Sequence, residues 1–87
     1  MQIDEIKSRF LAIFEAVPEH LVVRVDPISD TTFLLSISLE LVKTLDSGKL
    51  ESAIALAKEA GMEFQVHPMS EEWLWVEMRK EPVTLAL

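Results

Sequence analysis

The sequence predicts an α+β domain, a four-stranded antiparallel sheet with two helices on one face in α-β-β-α-β-β order. Two observations carry this expectation. Apolar residues switch from helical spacing to a period of two, and they do so twice along the 87 residues. The chain also echoes itself: Val25-Asp26-Pro27-Ile28-Ser29-Asp30 returns 41 positions later as Val66-His67-Pro68-Met69-Ser70-Glu71. At the same offset Ala12, Ile13 and Ala16 fall on Ala53, Ile54 and Ala57, and Phe33, Leu35 and Ile37 fall on Leu74, Val76 and Met78. The echo points to a tandem αββ repeat, in which each helix–hairpin half covers apolar surface the other could not bury alone.

The first helix is written by Ile3, Ile6, Phe10, Ile13 and Val17, with Phe14 widening the apolar stripe. Asp4 and Glu5 occupy its first turn, where carboxylates favour the helix dipole. Pro18 disfavours helical geometry at Val17 and ends the helix there. From His20 the chain alternates, with Leu21, Val23 and Val25 to one side and Val22, Arg24 and Asp26 to the other. Pro27 suits the second position of a type I turn, which Ser29 and Asp30 continue. The second strand turns Phe33, Leu35, Ile37 and Leu39 inward and is expected to stop near Leu39.

Asp46 or Ser47 caps the second helix, and Gly61 ends it in the left-handed conformation. Its apolar positions, Leu50, Ala53, Ile54 and Ala57, give a buried side made mostly of alanine. Met62, Phe64 and Val66 alternate in a third strand. A fourth runs from Glu72 to Lys80 with Leu74, Val76 and Met78 inward, until Pro82 interrupts it. Val83, Leu85 and Leu87 leave an alternating tail, read as a short edge strand or a frayed end. These phases nominate Phe10, Ile13, Phe33, Leu35, Phe64 and Val76 as core residues.

Residues 1–87 make one domain, and at 49% hydrophobic the chain can build a core and is too apolar to be disordered. The absence of cysteine excludes disulfides, thiolate zinc sites and cysteine nucleophiles. Asp4 and Glu5 stand where a secretory signal needs basic and apolar regions, and no apolar run approaches the ~18 residues of a membrane span. A cytoplasmic protein with no membrane segment is therefore expected. The net charge of −7 is dispersed, and basic residues cluster nowhere beyond Arg79-Lys80. Direct nucleic-acid binding is disfavoured, because displacing phosphate counterions requires a basic stripe.

With Leu74, Val76 and Met78 turned inward, Trp73 and Trp75 must point to the open face of the sheet. Tryptophan is over-represented among interface hot spots. The neighbours expected on that face are Val22, Arg24, Leu34, Gln65, His67 and Arg79, a mixed surface with an aromatic centre. Trp73, Trp75, Arg24, Leu34, Gln65, His67 and Arg79 are the candidate partner-binding residues. Glu40, Glu63 and Glu77 share the face and oppose a nucleic-acid ligand there. Glu63, Gln65 and His67 supply at most two metal ligands from one strand. Ser47-Gly48-Lys49 lacks the upstream glycine of a phosphate loop, since position 43 is Lys. No nucleophile elbow is present. No catalytic residue, metal ligand or cofactor is assigned.

The expected function is a small acidic, non-enzymatic protein-interaction module, homodimeric through the open face. A twofold dimer there would remove four indoles from water. Two alternatives belong to other classes. One is an acidic inhibitor of the type mobile elements encode, occupying the basic groove of a nucleic-acid-binding machine. The other is a small-ligand binder with its pocket between the alanine-rich helix and the sheet or at a dimer seam.

Overall fold

Helix α1 (Ile3–Phe14) leads through a 3-10 turn (Pro18–His20) into strands β1 (Leu21–Pro27) and β2 (Thr32–Val42). Helix α2 (Ser47–Ala60) and strands β3 (Glu63–Pro68) and β4 (Leu74–Thr84) follow. The computed structural model describes residues 2–27, 29–30, 32–43 and 45–84, of which Thr32, Phe33, Leu41 and 81–84 by backbone only.

Helix α1 ends sooner than its apolar spacing implies. Glu15 takes the left-handed conformation (φ 51°, ψ 40°), and the Ala16 N–H donates to the Leu11 carbonyl at 3.0 Å. Gly61 (φ 68°) and Met62, whose N–H donates to Ala57 at 2.7 Å, close α2 in the same way. Val17, expected on the buried stripe, lies beyond the helix and is 48% exposed. Pro18 pushes its predecessor out of helical geometry, so the chain must leave the helix earlier. Pro18 also begins a 3-10 turn that the two-residue alternation from His20 does not reveal; a fixed φ and a missing N–H suit that first position. At α2 the Asp46 carboxylate accepts from the Lys49 N–H at 2.8 Å, the expected cap.

All four strands form one antiparallel sheet in the order β1-β2-β4-β3. Strand β2 runs to Val42 instead of stopping near Leu39. Leu39 pairs with Val76 and Val42 with Leu74, so Glu40 and Leu41 together oppose Trp75. That bulge lets Leu39 and Val42, three positions apart, face the same side, and both are buried. Strand β4 likewise runs through Pro82 to Thr84. Leu35 pairs with Lys80 and Phe33 with Val83, so Glu81 and Pro82 oppose Leu34 alone. A bulge is where a central strand tolerates a residue without an N–H. The expected interruption at Pro82 is thus a second bulge, and Val83 belongs to β4; Leu85 and Leu87 lie outside the described residues.

Pro27 and Pro68 each close a strand, pairing with Phe33 and Leu74, instead of entering the turn. In the second hairpin the N–H groups of Met69 and Ser70 both donate to the Trp73 carbonyl, at 3.1 and 3.2 Å. Whether the two turns share one conformation depends on Ile28 and Thr31, outside the described residues.

The two hairpins share a register. Val22↔Ser38 moved by 41 positions is Glu63↔Arg79, and Pro27↔Phe33 so moved is Pro68↔Leu74. The bulges obey the same shift: Glu40-Leu41 opposite Trp75 corresponds to Glu81-Pro82 opposite Leu34. Ile37 and Met78, paired across β2 and β4, are mates under this offset and mark the centre of the relation. The helices do not follow it. Ala12 is exposed where Ala53 is buried, and Ile13 is half-buried where Ile54 is exposed. The 3-10 turn lengthens the α1–β1 connection, so α1 sits in another register.

Ile6, Phe10 and Phe14 of α1 and Ala53, Leu56 and Ala57 of α2 meet Ile37, Leu39, Val76 and Met78 in one core. Phe10 packs edge-on to Phe14 with ring centres 5.2 Å apart, and Phe64 stacks on Phe14 at 6.4 Å. Of the nominated core, Phe10 and Val76 are fully buried, while Ile13, Leu35 and Phe64 are half-buried against the cluster. The Phe33 side chain lies outside the described residues. On α2 the buried arc is rotated from the expected one: Leu56 is buried, whereas Leu50 and Ile54 are exposed. Val23 and Val25 are on the helix side by register, yet they are 39% and 54% exposed. The helices cover the middle of the sheet, and the edge strand projects past them. Among the described residues no helix is long and apolar enough to cross a membrane.

Candidate functional site

Strand alternation and register lay out the face turned away from the helices. Val22, Ser38, Glu77 and Gln65 form one row across it, and Arg24, Ser36, Arg79 and Glu63 the next. Beyond Gln65 and Glu77, His67 pairs with Trp75.

Ser36, Ser38 and Glu77 are buried in the centre of this face. Two small serines make a floor that the longer flanking side chains wall in. Ser36 Oγ donates to Glu77 Oε2 at 2.6 Å, reaching diagonally across the β2–β4 pair. The other carboxylate oxygen, Oε1, lies 3.5 Å from His67 Nε2, within ion-pairing range of a protonated imidazole. The His67 ring leans on Trp75 with centroids 5.1 Å apart and planes tilted by 44°. A continuous chain Ser36–Glu77–His67–Trp75 thus runs from the centre of the face to its end. It finishes on an unsatisfied group: Trp75 Nε1 is buried and has no hydrogen-bond acceptor among the described residues. An orphaned buried donor costs about 1–3 kcal/mol.

Glu77 stands between Ser36 and His67, so the imidazole is not placed to take a proton from the hydroxyl, as nucleophilic catalysis would require. Among the described residues no group of three His, Cys, Asp or Glu side chains could hold a metal ion. A surface groove of 280 Å³ lies under the end of α1, where Phe14, His20, Leu39 and Lys49 contribute to its walls. The alanine side of α2 is packed into the core at Ala53 and Ala57. The serine–carboxylate bond itself is testable. Ser36→Ala should lower stability by about 1–3 kcal/mol in urea melts, since it leaves a buried carboxylate oxygen without its donor.

The structure divides the sequence-nominated residues between two ends of the face. Trp75, His67 and Gln65 adjoin one another, and Trp73, half-buried, sits just before β4 in the same hairpin tip. Arg24 and Arg79 are exposed on either side of Ser36. Leu34 lies past them, roughly 20 Å from Trp75 by the strand rise. Met69, 53% exposed in the β3–β4 loop, adds an apolar contact to the aromatic end that sequence reasoning did not include. It also missed the pairing of Ser36 with Glu77, which depends on β2 and β4 being neighbours. These residues are mates under the 41-residue offset, and mates adjacent to the Ile37–Met78 pair must meet diagonally. No protein-family model, curated protein or solved structure matches the chain.

Proposed function

We propose that this chain is a non-enzymatic protein-interaction module whose open sheet face binds a partner protein at its aromatic end. Trp75, Trp73, His67 and Met69 make the contact, and a second copy of the chain is among the candidate partners. The observation that carries this reading is the gathering of two half-buried indoles, Trp73 and Trp75, at one end of the open face, with exposed Met69 beside them and His67 leaning on the Trp75 ring. Indoles and methionine at a hairpin tip combine large contact area with adaptability.

The test compares Trp73→Ala and Trp75→Ala with Val76→Ala, following complex formation with the partner protein by pull-down from the host. Each tryptophan variant should weaken association by about 2 kcal/mol or more, roughly thirtyfold, while melting near the parent temperature. Val76 is fully buried, so its truncation should lower the melt first and association only as a consequence. Unchanged association in both tryptophan variants would defeat the proposal, and so would a collapse of their melts.

The architecture also supports a duplicated hairpin as the origin of the fold. Shared strand registers and matching bulges at one offset favour that reading over chance resemblance of turn sequences. The helices, which break the offset, then adapted separately to cover the two halves.

A further inference from the structure

Strand β1 is outermost in the sheet, so among the described residues one edge of its backbone has no strand beside it. Such an edge is a template for another strand. β3 forms the opposite edge, but α2 packs on it and Phe64 is held against the core. β1 is the barer of the two, exposed over its last five residues. Its helix side presents Val23 and Val25, next to a 530 Å³ groove lined in part by Leu11, Pro18 and Leu21. Its other side presents Arg24 and Asp26, both exposed, of opposite sign, and in no ion pair among the described residues.

We infer that β1 pairs antiparallel with β1 of a second copy, centred on Val25, giving a twofold dimer with one sheet running through both chains. Charge selects this register. With Val25 opposite itself, Arg24 faces Asp26 of the second copy and Asp26 faces its Arg24, both on the open side. Val23 and Pro27 meet on the helix side, flanking the two Val25 side chains. Centring the pair on Arg24 would set two guanidiniums face to face, and centring it on Asp26 would do the same with carboxylates. Centring on Val23 would carry the pairing off the strand into the 3-10 turn. Backbone hydrogen bonds supply the attraction, and the reciprocal ion pairs fix register and identity.

The axis of this dimer is perpendicular to the sheet, so both pairs of helices lie on one side. The valines of the two edges then fill the trough between the two α1 helices. Both open faces stay free on the other side, and the dimer presents two aromatic ends to a partner. Self-association through β1 does not depend on what the open face binds.

Sedimentation equilibrium on the parent, Arg24→Asp, Asp26→Arg, the double variant Arg24→Asp/Asp26→Arg and Val25→Lys decides the matter. The parent should sediment at twice the 9.9 kDa of one chain. Each single reversal sets like charges opposite each other and should return the mass to one chain. The double variant restores complementarity and should restore the dimer. Val25→Lys places two cations at the axis and should be monomeric without loss of fold, because Val25 is exposed. Thermal melts of the dilute proteins check that all variants remain folded. A parent that stays at one chain mass throughout, or a dimer indifferent to both reversals, would overturn the inference. A folded double variant that stays monomeric would overturn it equally. Loss of the dimer on Trp75→Ala but not on Arg24→Asp would move self-association to the open face and exclude the β1 edge.

Discussion

Phe10→Ala should lower the unfolding free energy by about 3–5 kcal/mol, the range for removing a large aromatic side chain from a core. Phe10 is fully buried, packs edge-on to Phe14, and joins α1 to the β2 and β4 side chains in the centre of the domain. Helix α1 has no side-chain N-cap hydrogen bond and no basic residue in its last turn. Its attachment therefore rests on the stripe Ile6, Phe10 and Phe14 more than on local helix signals. A loss of this size is a large share of the stability of a domain of 87 residues. Urea denaturation followed by far-UV circular dichroism measures it directly. A midpoint equal to that of the parent would mean that α1 does not pack as described.

Leu56→Ala is expected to cost about 2–5 kcal/mol, while Ile54→Ala, two positions earlier on the same helix, should change stability by about 0.5 kcal/mol or less. The contrast follows from burial: Leu56 is fully buried and Ile54 is 38% exposed. Because the two side chains have nearly the same volume, the pair isolates the rotational phase of α2. Equal losses in paired urea titrations would mean that the helix presents a different arc to the sheet.

That phase shows where the sequence was legible and where it was not. Strands announce their phase by strict alternation, and in β2 and β4 the alternation points inward at Ile37, Leu39, Val76 and Met78, all fully buried. Helix α2 offers apolar residues at Leu50, Ala53, Ile54, Leu56 and Ala57, which wrap too wide an arc to say which side is inward. Tertiary packing chose the arc containing Leu56. The ends of β2 and β4 were hidden for another reason: a bulge interrupts the two-residue period that reveals a strand, at Glu40-Leu41 and again at Glu81-Pro82. Val23 and Val25 have an inward pattern but lie on an edge the helices do not reach, and pattern alone does not report how far a helix extends over a sheet.

The candidate site was legible in part for the same reasons. The phase of β4 placed Trp75 opposite the core, and the pairing of β3 with β4 brought His67 against it. Leu34 was grouped with the tryptophans because both share a face, yet position along the strand separates them and depends on register. The burial of Ser36 and Glu77 required knowing that β2 and β4 are neighbours, which follows from strand order and not from local pattern. In the sequence Glu77 is one of three acids, with Glu40 and Glu63, expected on the open face. In the fold it accepts from Ser36 and faces His67, which fixes the ring that supports Trp75.

Two surfaces with different physics emerge. The aromatic end of the open face gathers Trp73, Trp75, His67 and Met69, where we propose that a partner protein binds. The β1 edge is a backbone template with reciprocal charges, suited to a copy of itself.

Site-directed photo-cross-linking in the host cell tests the open-face assignment most directly. A photoreactive residue in place of Met69, which is 53% exposed in the loop beside Trp73, samples whatever covers the aromatic end. The same residue in place of Ala55, exposed on α2, samples the far side of the domain. An adduct of defined mass from position 69 that disappears with Trp75→Ala, together with none from position 55, is the predicted result. No adduct from position 69, or the same adducts from both positions, would contradict a binding site on the open face.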